Sequence, residues 1–146
     1  MPVVYTGATF DLFHKGHILF LQRCASLGEV TVALNTDEFV RRFKNKTPIH
    51  DLEDRMAVVG ACRWVHSVVV NEGGENSVPT IEKVKPNFIV IGSDWEKRDY
   101  HRQMGFTPQW LFEQAINLVY LPYSEGISST ILRERLRDSC LDANSE

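Results

Sequence analysis

The sequence predicts an α/β domain built on a doubly wound, Rossmann-like parallel sheet of about five strands, with helices on both faces. Short apolar runs rich in β-branched residues alternate with stretches whose apolar residues recur at helical spacing. The apolar runs are continuous, as expected of parallel strands buried on both faces. No internal repeat or low-complexity tract breaks the alternation, so we expect residues 1–146 to form a single domain.

The individual elements follow from the same two patterns, taken in chain order. The predicted strands are Val3–Thr6, Val30–Leu34, Val68–Val70, Phe88–Ile91 and Leu118–Leu121. The predicted helices are His17–Leu27, Leu52–Cys62, Val78–Val84 and Ser129–Arg137. Gly28 is predicted to cap the first helix at its carboxyl end. Residues 142–146 are predicted to form a flexible tail.

Composition and charge restrict the class of protein. A formal net charge of −3 argues against general nucleic-acid binding, which normally needs a basic face. Cys24, Cys62 and Cys140 are odd in number and include no CxxC pair, so they indicate neither a disulfide framework nor a zinc site. We find no signal-peptide pattern at the start and no apolar run long enough to span a bilayer. We therefore expect a cytoplasmic protein with no nucleic-acid or membrane partner.

Two histidines follow the first predicted strand, in the segment GATFDLFHKGH at residues 7–17. Ligands of open α/β sheets bind beyond the carboxyl ends of the strands, where this segment lies. Gly16 allows the backbone to approach a ligand closely, and the helix that begins nearby favours phosphate at its amino end. A lone histidine is more often structural, but His14 and His17 are spaced to point at one phosphate as hydrogen-bond donors.

A second phosphate-binding pattern lies at residues 125–136, EGISSTILRERL. Ser128, Ser129 and Thr130 bring hydroxyl groups and free amides to the start of the last predicted helix. Arg133 follows one turn later and could hold a leaving pyrophosphate. On its own, such a segment is more often a plain helix cap. Its presence in the same chain as the two histidines favours phosphate binding.

These two segments resemble the HxGH signature and the ISSTxxR element of the nucleotidyltransferase superfamily, in its cytidylyltransferase-like branch. Similar blocks occur between them, namely LNTDEF at 34–39, Lys46, Arg55, RWVH at 63–66 and GSDW at 92–95. The blocks look most like those of glycerol-3-phosphate cytidylyltransferases. The resemblance implies transfer of a nucleoside monophosphate from a nucleoside triphosphate to a phosphorylated acceptor, with release of pyrophosphate and no covalent enzyme intermediate.

The resemblance also implies roles for single residues. His14, His17 and Lys46 are the expected catalytic residues, and Arg55 is expected to contact the acceptor phosphate. The expected nucleotide-binding residues are Thr9, Phe10, Asp11, Gly16, Asp94, Trp95, Ser128, Ser129, Thr130 and Arg133.

Several of these roles have structural alternatives. Asp11 could place Mg²⁺ against the triphosphate, or it could cap its loop. Lys46 and Arg55 could be solvated cations. Trp95 could pack against a base, or it could be an ordinary core or surface residue.

We expect CTP as the nucleotide and glycerol 3-phosphate, or another polyol or sugar phosphate, as the acceptor. The alternatives are an adenylyltransferase that uses ATP with a sugar phosphate and a regulatory module that binds nucleotide without turnover. The resemblance further implies Mg²⁺ with the triphosphate and a homodimer. Residues 96–114, which are polar and aromatic, are expected to form a lid or an acceptor-binding insertion.

Overall fold

The structure is a computed structural model that describes residues 1–92, 104–122 and 129–145. Within these ranges one parallel sheet has the strand order β3-β2-β1-β4-β5. Its strands are β1 Val3–Ala8, β2 Glu29–Asn35, β3 Ser67–Asn71, β4 Phe88–Gly92 and β5 Asn117–Leu121. The helices are α1 Lys15–Ala25, α2 Asp37–Lys44, α3 Leu52–Gly60, α4 Val78–Val84, α5 Pro108–Glu113 and α6 Ser129–Ser145. Strand order reverses between β1 and β4, which places a topological switch point beside the loop after β1.

Alternate residues of the strands face two separate helical layers, which confirms the predicted doubly wound architecture. On one face Val4, Leu34 and Val90 pack in a buried cluster with residues of α1 and α3. On the other face Tyr5 and Ile89 pack in a second cluster with residues of α4 and α5. The period-two alternation of a strand therefore divides one continuous apolar run between two cores.

All five predicted strands and all four predicted helices are present, and two further helices among the described residues were not predicted. The first, α2, is mostly charged and buries only Phe39 and Val40, so its apolar pattern is too thin to indicate a helix. The second, α5, is six residues long and buries only Leu111. The start of α5 could have been predicted from two adjacent residues, because Thr107 caps the helix and a proline follows at its first position.

The prediction that Gly28 caps α1 was wrong. Helix α1 ends at Ala25, and Ser26 is its carboxyl-terminal cap with ordinary right-handed dihedrals. Gly28 is needed for a different reason, since a Cβ there would lie 2.3 Å from the carbonyl oxygen of Pro2. That carbonyl accepts a hydrogen bond from the amide of Glu29, so the chain start is held against the start of β2.

One further prediction on an irregular segment differs from the structure, and a second is covered by it only in part. Helix α6 continues to Ser145, through residues 142–145 for which we predicted a flexible tail, because no glycine or proline ends it. Residues 96–103 of the predicted lid or insertion lie outside the described residues. Its second half packs on the domain, where the amide of Ser77 donates to the carbonyl of Met104 and Phe106 is buried. Among the described helices none combines the length and the apolar character required to cross a membrane.

Candidate active site

The loop after β1 is held in an unusual backbone conformation. Phe10 and Leu12 have φ values of 50° and 52°, in the left-handed region that residues other than glycine rarely adopt. Such conformations tend to occur at functional sites, where the surrounding structure enforces them. Phe10 is buried and meets the ring of His17 edge to face, and Phe13 stacks on the same ring. In this structure Phe10, expected to bind nucleotide, positions a histidine.

The two histidines cap the amino end of α1. His14 is the N-cap residue, and its Nδ1 accepts a hydrogen bond from the amide of Gly16 at 3.0 Å. His17 returns the contact, since its Nδ1 accepts from the amide of His14 at 3.2 Å. The two rings stack with centroids 3.9 Å apart. Because both Nδ1 atoms are acceptors, the neutral imidazoles carry their protons on Nε2 and present those atoms as donors.

Both imidazoles are held in the neutral form. Burial, together with a smaller contribution from the nearby His14, lowers the pKa of His17 to about 3, and Asp11 partly opposes the shift. Burial also lowers the pKa of His14. The Nε2 atom of His14 is buried and has no hydrogen-bond partner among the described residues. A buried donor without a partner is costly, so this atom is suited to a ligand oxygen.

The two ends of the chain meet at Asp11. Arg133, in the second turn of α6, donates from Nη2 to Oδ2 of Asp11, 122 positions away in sequence. Burial would raise the pKa of Asp11, but the amides of His50 and Ile49 and the guanidinium of Arg133 together hold it below its usual value. The helix of the second motif is therefore joined to the loop that carries the two histidines.

Asp11 does not fit the metal-binding role that we predicted. Its Oδ1 accepts from the amides of Leu12 and His50, and its Oδ2 accepts from the amide of Ile49 and from Arg133. The carboxylate is only 5% exposed. Loop capping, the alternative, explains these contacts. No group of three or more histidine, cysteine, aspartate or glutamate residues in the described ranges could hold a metal ion.

Two lysines reach the same region from the carboxyl end of α2 and the loop that follows. Lys44 donates from Nζ to Oγ1 of Thr9 at 3.4 Å, and the sequence reasoning did not single out this lysine. The feature of the sequence that could have indicated Lys44 is its position shortly after the LNTDEF block. Lys46 is exposed, and its pKa is lowered by desolvation and by the charge of Arg133 while Asp11 opposes the shift, so its amine interacts electrostatically with the Asp11–Arg133 pair. Lys44, Lys46 and Arg133 thus each interact with Thr9 or Asp11 of the loop that leads into α1.

Arg55 does not have the role that we predicted. Its side chain is fully buried, and its three nitrogen groups donate to the carbonyls of His50 and Thr9 and to Oδ1 of Asp37. The distance to Asp37 is 2.7 Å. With all three groups engaged inside the protein, Arg55 supports the loop after β1 and does not face an acceptor.

The remaining predicted residues fall in three groups. Gly16 is buried in the first turn of α1, and its amide binds His14. Ser129 and Thr130 begin α6. Ser128, Asp94 and Trp95 lie outside the described residues.

A comparison against protein-family models covers both the histidine pair at the start of α1 and Arg133 of α6. Residues 5–135 match the model of the family described as cytidylyltransferase-like. The chain belongs to this family. The resemblance inferred from the two motifs is confirmed, and with it the general class of nucleotidyltransferases.

Relatives with different names match the chain about equally well. Glycerol-3-phosphate cytidylyltransferase of Bacillus subtilis is 35% identical over 93% of this chain and 98% of its own. FAD synthase of Pyrococcus horikoshii is 33% identical over 95% of each chain. FAD synthase of Pyrococcus abyssi is 44% identical, but that match spans 62% of each chain. Membership of the family therefore leaves the nucleotide and the acceptor open.

A solved structure of similar fold supports the architecture. The lipopolysaccharide core biosynthesis protein from Thermoplasma volcanium superposes with a TM-score of 0.69 at 25% identity. The alignment covers 86% of this chain and 99% of that one. The fold is therefore shared over nearly the whole of that protein.

Proposed function

We propose that this protein transfers CMP from CTP to a small phosphorylated acceptor, such as glycerol 3-phosphate or another polyol or sugar phosphate. The observation that carries the proposal is the convergence of His14 and His17 with Arg133 around one loop at the carboxyl edge of β1. Donors and cations gathered at such an edge suit a triphosphate. The similarity to glycerol-3-phosphate cytidylyltransferase supports the choice of nucleotide and acceptor.

In the proposed reaction an oxygen of the acceptor phosphate attacks the α-phosphorus of CTP. A new bond forms between that oxygen and the phosphorus, the bond to the β-phosphate oxygen breaks, and pyrophosphate leaves on the opposite side. The protein contributes position and charge neutralisation. His14 and His17 donate from Nε2 to the reacting phosphate, and Lys44, Lys46 and Arg133 balance its negative charge.

The magnesium ion belongs to the substrate in this proposal. Mg²⁺ commonly binds through phosphate oxygens and retains several waters. Because the oxygens of Asp11 accept hydrogen bonds from protein donors, we assign the ion to the triphosphate and no longer to that carboxylate.

An adenylyltransferase that uses ATP is the alternative, and the similarity to FAD synthases favours it specifically. Pyrophosphate release from CTP and from ATP should be measured with glycerol 3-phosphate, ribitol 5-phosphate, a hexose 1-phosphate and flavin mononucleotide. Release that depends on CTP and a polyol or sugar phosphate would support the proposal. Release that depends on ATP would replace it with the alternative.

A further measurement tests the alternative that the protein is a regulatory module. Binding of CTP and ATP should be measured by calorimetry without an acceptor. Tight binding together with no pyrophosphate release from any pair would indicate a module that binds nucleotide without turnover. We propose that the protein acts as a homodimer, as the resemblance implies, and light scattering will test this directly.

A further inference from the structure

A row of polar side chains crosses the carboxyl edge of three neighbouring strands, on the face of the sheet that α4 covers. Thr9 follows β1, and Asn35 and Asn71 are the last residues of β2 and β3. Asn35 and Asn71 are partners in the parallel ladder, and Ala8 pairs with Leu34, which brings Thr9 into the same row. Asn35 Nδ2 donates to Thr9 Oγ1 at 3.2 Å, and Asn71 Nδ2 donates to Asn35 Oδ1 at 3.4 Å.

The side chain of Asn71 is fixed by hydrogen bonds to the start of α4 and to the segment before it. Its side chain is buried, its Oδ1 accepts from Thr80 Oγ1, and its Nδ2 also contacts Ser77 Oγ and the carbonyl of Gly74. Asn35 is only half-buried. Asn71 therefore fixes the orientation of an asparagine that remains accessible at the edge.

Tyr5 lies behind the same row of polar side chains. It is completely buried beside Ser77, and burial raises its pKa to about 12, an effect that the Ser77 side chain partly offsets. Ser77 Oγ also accepts from Asn71 Nδ2. The support behind Asn71 therefore reaches into the core of the sheet.

We propose that Asn35 binds a hydroxyl group of the acceptor and that Asn71 is its positioning residue, so that the acceptor is a polyol or sugar phosphate. This inference rests on the proposed function and names residues that select the acceptor. The Thr9 hydroxyl links the row to the phosphate-binding groups, because it accepts from both Asn35 and Lys44. An acceptor phosphate near Lys44 would extend its hydroxyl groups along the row. A carboxamide both donates and accepts, as hydroxyl recognition requires.

The test combines variants of the protein with analogues of the acceptor. The variants are Asn35→Ala, Asn71→Ala and the control Thr31→Val. Thr31 bonds to Ser67 across the same two strands, but four residues before the edge. The acceptors are glycerol 3-phosphate with its two monodeoxy analogues, and glucose 1-phosphate with its 2-deoxy and 3-deoxy analogues. KM and kcat are measured for each acceptor and for the nucleotide, with pyrophosphate release as the readout.

We expect Asn35→Ala to raise the acceptor KM about 3- to 15-fold, the effect of one neutral hydrogen bond, without changing the nucleotide KM. Removing the recognised hydroxyl from the acceptor should raise the KM of the wild-type enzyme to a similar extent. It should hardly change the KM of Asn35→Ala, because both changes remove the same contact. Asn71→Ala should reduce discrimination between the acceptor and its deoxy analogue, an effect that mere loss of stability would not produce. Thr31→Val should leave that discrimination unchanged.

The outcomes separate two kinds of failure. If the wild-type enzyme releases no pyrophosphate with any acceptor, the proposed function fails. If it turns over but the effects of Asn35→Ala and of the missing hydroxyl simply multiply, or if deoxygenation changes nothing, the assignment of Asn35 is overturned while the proposed function stands.

Discussion

The imidazole of His17 accepts a hydrogen bond at Nδ1 from the amide of His14, while its ring stacks on the ring of His14. The same atoms thus serve two purposes. They complete the amino end of α1, and they direct the Nε2 protons away from the helix backbone. Replacing His17 should therefore affect both stability and turnover, and suitable variants can separate the two effects.

We expect His17→Ala to lower kcat by about 10² to 10⁴, the range for loss of a transition-state donor or a general acid-base group. It should also lower the free energy of unfolding by about 1 kcal/mol, because the hydrogen bond from the His14 amide, one half of the capping box, is lost. His17→Asn retains an acceptor close to the backbone but no distant donor, so it should lose turnover and keep most of the stability. Steady-state kinetics and urea unfolding measure the two effects. Near-normal turnover of folded His17→Ala would remove His17 from the mechanism.

Stability should fall in acid because His17 is buried in its neutral form. Its pKa is about 3 in the folded protein and 6.5 as an unperturbed histidine, so the unfolded chain binds the extra proton between these values. The free energy of unfolding should therefore decrease as pH falls from about 6.5 towards 3, by up to about 1.4 kcal/mol per pH unit. His17→Asn should show a shallower dependence in urea unfolding at a series of pH values.

Arg55→Met should destabilise the protein by about 3–5 kcal/mol, because it leaves the Asp37 carboxylate and the carbonyls of Thr9 and His50 without this donor. Arg42→Met is the matched control, since Arg42 forms exposed ion pairs with Glu38 and Glu75 and should cost less than about 1 kcal/mol. Urea unfolding of both variants measures the difference. Normal stability of Arg55→Met with a raised acceptor KM would instead restore the acceptor-binding role.

Gly28→Ala should destabilise the protein by about 1–3 kcal/mol, because the new methyl group would overlap the carbonyl of Pro2. Gly60→Ala is the control, at the last residue of α3, where a Cβ would only touch Val68 at 3.7 Å. It should be neutral or stabilise by up to about 1 kcal/mol. Thermal unfolding of the pair tests the explanation, and equal effects would show that the approach of Pro2 does not constrain Gly28.

Chelation should separate the requirement for a metal ion from protein stability. EDTA should abolish pyrophosphate release, because the triphosphate would lose its magnesium ion. It should leave the free energy of unfolding unchanged, since we assign no structural metal to the protein. A lower unfolding free energy in EDTA, reversed by Mg²⁺, would show that the protein itself holds the ion.

Features that depend on the local pattern of residues could be predicted from the sequence. Roles that depend on a side chain distant in sequence could not. The five strands were predictable because their apolar runs are continuous. The placement of His14 and His17 side by side was predictable because they lie three residues apart in a glycine-containing loop at a strand end. Arg55 was assigned wrongly because only the fold shows that Asp37 lies 2.7 Å away. The contact made by Asn71 could not be predicted, because it depends on Asn35, which lies beside it only in the folded sheet.

The hydrogen bonds at the start of α1 also make the chemistry sensitive to fraying. If the first turn unwinds, both Nδ1 atoms lose their amide donors, and either ring nitrogen can then carry the proton. A substitution that only destabilises this turn, at Lys15 for example, should therefore have the same kind of effect as a substitution of one of the two histidines. Backbone order at one helix end thus determines which tautomer the two imidazoles adopt.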